Sequence, residues 1–101
     1  MIGLGIWEAS INTMFFRGTG RVTISDNNGE YDFRLEVIGE NVPEFTVSDV
    51  TENGNTLSAV AQSDMFKDKK IPVTATFNGD EVVGTAKLPF LGNIKVRGHR
   101  V

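Results

Sequence analysis

The chain has 101 residues, 40% of them hydrophobic and 23% charged, with a net charge of -3. Those values fit one globular domain spanning residues 1–101 around a single core, and they exclude a disordered or fibrous chain. Basic residues are scattered apart from Lys67, Lys69 and Lys70, which argues against a nucleic-acid partner, and the lack of cysteine excludes disulfides and thiolate metal sites.

Helical spacing of apolar residues is sustained nowhere, whereas alternation of period two recurs along the chain. The first strand is expected over Ile6 to Thr13, with Trp7, Ala9 and Ile11 on one face. RVTIS adds Val22 and Ile24, and EYDFRLEVI adds Tyr31, Phe33, Leu35 and Val37. FTV follows with Phe45 and Val47, then a strand from Leu57 to Ser63, and IPVTATF with Ile71, Val73, Ala75 and Phe77. Strands from Val82 to Leu88 and from Ile94 to Val101 complete a set of eight.

The connections sort into two kinds. Asn28-Gly29, Asn53-Gly54 and Asn78-Gly79 are evenly spaced Asn-Gly pairs, which accept positive φ and close tight hairpins. Between them lie MFFRGTG, GENVPE, SDMFKDKK and PFLGN, longer and more apolar. Alternate connections therefore fall at opposite ends of the sheet, as in an up-and-down meander. An open sheet of this kind leaves two reactive edges that closure removes, so the expected fold is an all-β, eight-stranded antiparallel barrel. Phe33 and Val83 stand at equal offsets from their Asn-Gly pairs, yet their strands alternate in opposite phase, so no sequence duplication is inferred.

Gly5-Ile6-Trp7 on the first strand resembles the G-x-W motif of the calycins, the lipocalin and fatty-acid-binding-protein class of up-and-down barrels. The resemblance implies that an Arg on the last strand packs across the Trp at the closed end, and Arg100 is the residue in that position and phase. Meander topology brings the start of strand one and the end of strand eight to the same end, which supports the pairing independently. Trp7 and Arg100 are thus expected to form a structural plug. The ending GDEVVGTAKLPFLGNIKVRGHRV is similar to that of short bacterial barrel proteins, a likeness that carries no activity with it.

Catalytic chemistry has little to work with. The single His99 points outward by strand phase, and no paired His or Cys offers a metal site, so neither a catalytic residue nor a cofactor is expected. DNNGEYD carries Asp26, Asn28 and Glu30, but its Gly29 stands fourth where a calcium loop needs it sixth, so it reads as a hairpin. Gly18-Thr19-Gly20 precedes no helix and reads as a loop, not a phosphate cradle. Asp49 has two readings: continuing the phase of Phe45 and Val47 turns it inward as a buried polar group, whereas a bulge at Ser48 turns it out and Val50 in.

An eight-stranded barrel is just wide enough to be filled by side chains or to hold one small molecule. Trp7, Tyr31, Phe33, Phe45 and Phe77 are expected to take most of that volume, leaving room for a small apolar ligand at the open rim formed by Phe15, Phe16, Met65, Phe66, Phe90 and Leu91. The expected function is non-enzymatic binding of such a molecule. The alternative is a structural or protein-interaction barrel with a filled core, acting as a homo-oligomer through outward Ile6, Ile38, Val60, Val83 and Val101. An enzyme ranks third, resting only on the proximity of Asp49 and Tyr31. No stretch reaches the ~18 apolar residues of a spanning helix, and MIGLGIWE has no basic leader, so a cytoplasmic protein with no membrane partner is expected.

Overall fold

The computed structural model describes residues 1–12, 17–38, 45–63, 67, 69–88 and 92–101, with backbone alone for Ile11, Asn12 and Arg17. Its eight strands are β1 (Gly5–Asn12), β2 (Arg17–Asn27), β3 (Glu30–Val37), β4 (Phe45–Asn53), β5 (Thr56–Ser63), β6 (Ile71–Asn78), β7 (Glu81–Leu88) and β8 (Gly92–Arg100). All ladders are antiparallel, and the sheet order is β3-β2-β1-β8-β7-β6-β5-β4. The first and last strands pair, so the sheet curls into a nearly closed barrel, while β3 and β4 remain its two edges.

Directly opposed residues of an antiparallel pair share a face, and the register puts the alternating apolar set on one face. Trp7 stands opposite Val22 and Arg100, Ile24 opposite Phe33, Leu57 opposite Ala75, and Phe77 opposite Val82. The outward face carries charged pairs such as Glu8–Arg21 at 2.9 Å. Gly18-Thr19-Gly20, expected as a loop, belongs to β2 instead, because β1 supplies its ladder partners Ile11, Ser10 and Ala9.

The three Asn-Gly pairs do not make the same turn. Asn27 pairs with Glu30, so the first loop is Asn28-Gly29, with both residues at positive φ (54° and 90°) as a type I′ turn requires. Asn53 pairs with Thr56 and Asn78 with Glu81, so the other loops are Gly54-Asn55 and Gly79-Asp80. There only the first residue has positive φ (60° and 61°), the type II′ pattern. That one-residue offset is why strands following identical dipeptides alternate in opposite phase.

A second irregularity lies in β4, where the register shifts between Ser48 and Thr51 and Asp49 adopts φ 54°. Of its two sequence readings the outward one is realised: Asp49 is exposed, and Val50 packs against the core. The extra residue lets Phe45 and Val47 above it and Val50 and Glu52 below it all face inward, and such a bulge also bends its strand.

Trp7, Ile24, Leu57 and Phe77 form the buried cluster at the tight-turn end, with Ile2, Tyr31, Phe33, Val50 and Val82 packed on it. Glycine is required where the first and last strands meet. A Cβ on Gly98 would lie 2.7 Å from the Glu8 carbonyl oxygen, whereas one on Gly84 would find its nearest neighbour at 3.6 Å. Gly98→Ala should therefore cost about 2 kcal/mol or more, and Gly84→Ala less than about 1 kcal/mol, as read from urea unfolding midpoints.

Candidate functional site

The site is best built from the sealed end upward. The Arg100 guanidinium carbon lies 4.3 Å from the Trp7 ring centroid, worth roughly 0.5–1 kcal/mol at a partly exposed position. Arg100 also donates from Nη1 to the Leu4 carbonyl at 2.5 Å and from Nε to Asp80 at 3.2 Å. Trp7 Nε1 donates to the Gly3 carbonyl at 2.8 Å, and its ring meets that of Phe77 at 4.9 Å and 52°. The N-terminal segment is thus drawn across the end of the barrel, passing close enough that side chains at Gly3 and Gly5 would collide with Phe77 and Arg100.

The edge between β3 and β4 is bridged at this same end. The Tyr31 hydroxyl donates to Glu52 Oε1 and accepts from the Ile2 backbone N–H at 2.8 Å. Burial, and then the bond to the Glu52 carboxylate, raise the Tyr31 pKa above its ordinary 10.0, because both disfavour a second negative charge.

Above this seal the barrel is hollow. Two lobes of about 270 and 580 Å³ share Val22, Ile24, Leu35, Val73 and Ala75 in their walls. No large side chain among the described residues is fully buried, which agrees with an unfilled centre. The space exists because the large aromatics gather at the sealed end, while the inward positions further up are small: Ala9 faces Gly20 and Gly98, and Ala75 faces Gly84. The expectation that aromatics take most of the interior is thereby corrected. Parity identifies Ala9 and Ala75 as inward but not which residues they face, and Gly20 is expected in a loop; only register aligns them.

The lumen is apolar. Among the described residues, its smaller lobe is bounded by no ionisable side chain and its larger lobe by only Arg34 and Glu36, whose strand phase sets them on the outer face. Thr74 and Thr85, also outward by phase, bond each other with Oγ1 atoms 2.5 Å apart. Among the described residues, an occupant of the interior would find packing surface and no inward charge partner.

Of the residues expected from sequence, Trp7 and Arg100 are brought together. Phe15, Phe16, Met65, Phe66, Phe90 and Leu91 lie outside the described residues. Asp49 stands on the outer surface and is not a buried polar group, and His99 is exposed on the outer wall with ladder partners Glu8 and Glu81. The chain matches no protein-family model, no curated protein and no solved structure.

The sole tyrosine makes the seal directly readable. Titrated by absorbance near 295 nm, Tyr31 should ionise above pH 10.0, and Glu52→Gln should move the midpoint down by removing the carboxylate charge beside the hydroxyl. Because the fold favours neutral Tyr31, its contribution to stability is complete below the ordinary tyrosine pKa and is lost as pH rises through the raised one.

Proposed function

We propose that this barrel is a non-catalytic, calycin-like binding module for a small uncharged apolar molecule held in its lumen. The observation that carries the reading is the lumen itself, whose larger lobe of about 580 Å³ lies within the roughly 300–1,000 Å³ typical of small-molecule pockets. An ionised ligand group placed inside would lose its hydration without gaining a partner, so selectivity for neutral molecules follows from the lining. Phe15, Phe16, Met65, Phe66, Phe90 and Leu91 are the proposed upper border of the site.

N-phenyl-1-naphthylamine and its sulfonated counterpart 1-anilinonaphthalene-8-sulfonate share a skeleton and differ in charge. The neutral dye should bind with enhanced fluorescence, and the sulfonate about tenfold or more weakly. Ala59→Phe, which projects a ring into the larger lobe, should abolish dye binding while the protein stays folded. Retained binding in that variant would place the dye outside the lumen and sink the reading.

A second reading, self-association, is favoured by one surface. Leu4 and Ile6 are 38% and 43% exposed, and the Val101 amide donates to the Ile6 carbonyl, setting that 59% exposed valine beside them. If this apolar corner joins copies of the chain, the solution mass will exceed that of the monomer, and Ile6→Lys will return it to the monomer value.

A further inference from the structure

The two free sheet edges are not a uniform crack. At the tight-turn end they are held together by the Tyr31–Glu52 hydrogen bond, and Val50, turned inward by the bulge, packs into the core beside them. Above that point the edges of β3 and β4 share no ladder among the described residues. The lumen reaches the surface here. Val47 faces inward opposite Ala61, yet is 36% exposed. Arg34 and Glu36 stand exposed on the outer face of this edge strand, β3.

We propose that this slot, with β3 and β4 as its lips, is the route by which the apolar ligand reaches and leaves the lumen. The inference rests on the lumen being a binding site and adds the path and its control. Leu35 and Val47 line the passage with apolar surface, while Arg34 and Glu36 form a polar outer margin that solvates the slot when it is empty. The Tyr31–Glu52 bond is the fixed point below the opening, so the lips part by bending above it. The bulge at Asp49 supplies the place where β4 bends, since its register already breaks between Ser48 and Thr51. Among the described residues, opening there breaks no ladder hydrogen bond, whereas parting any other pair of neighbouring strands breaks several.

The cysteine-free sequence allows a direct test. Glu36→Cys with Thr46→Cys places one thiol on the exposed outer face of each lip, and bismaleimides of graded length bridge them without entering the lumen. With N-phenyl-1-naphthylamine as probe in stopped flow, bridging should slow association and dissociation together by about tenfold, leaving Kd within about threefold. The same double variant capped with a monofunctional maleimide sets the unbridged rates against which the bridged protein is compared. Tyr31→Phe, which frees the fixed point, should accelerate both rates. Unchanged rates in the bridged protein would overturn the slot as the route. Failure of the unmodified protein to bind the dye at all would instead remove the lumen reading, and the slot with it.

Discussion

The pairing of the first strand with the last holds this barrel together, and it is a short ladder. Among the described residues the ladder joins Trp7, Glu8 and Ala9 to Arg100, His99 and Gly98, and the Val101 amide adds a bond to the Ile6 carbonyl, although the contact must bring strands far apart in sequence together. Closure of so long a loop costs entropy that three ladder pairs offset poorly. The side chains at the end of the ladder make up the difference. Arg100 lies on the Trp7 ring and holds the Leu4 carbonyl, while Trp7 holds Gly3 and packs on Phe77. One cluster therefore closes the ladder, seals the barrel floor and anchors the N-terminal segment.

Concentrating the aromatics at that seal has a consequence higher up. The inward positions that remain are largely Ala, Gly and Val, too small to meet across the barrel, so the centre stays open. Unfilled space forfeits dispersion contacts and lowers stability. A molecule occupying the lumen would restore those contacts and stabilise the fold by mass action. The same economy of side-chain volume thus makes the empty barrel weaker and leaves its lining apolar.

The edge between β3 and β4 shows how a local irregularity acts at a distance. The bulge at Asp49 turns Val50 and Glu52 inward below it, which anchors the lower edge through Tyr31, and leaves Phe45 and Val47 facing the lumen above. With no ladder to β3, that upper segment is the one place among the described residues where the wall is side chain and not hydrogen-bonded sheet.

Much of this was legible from local pattern. Period-two alternation encodes the face each residue takes, so the inward set, the eight strands and the tight-turn end follow from the sequence by itself, as does the meeting of Trp7 with Arg100 once the meander is recognised. Other features were not legible, because no single segment contains them. Asn53-Gly54 and Asn28-Gly29 read alike, yet their loops differ by one residue because the ladder on either side sets where each turn closes. Asp49 was evenly balanced between two faces until the pairing of β4 with β5 fixed the bulge. The lumen and its slot depend on which small residues reach the same level and which edges fail to pair. Those are sums over strands remote in sequence, so only the tertiary structure decided them.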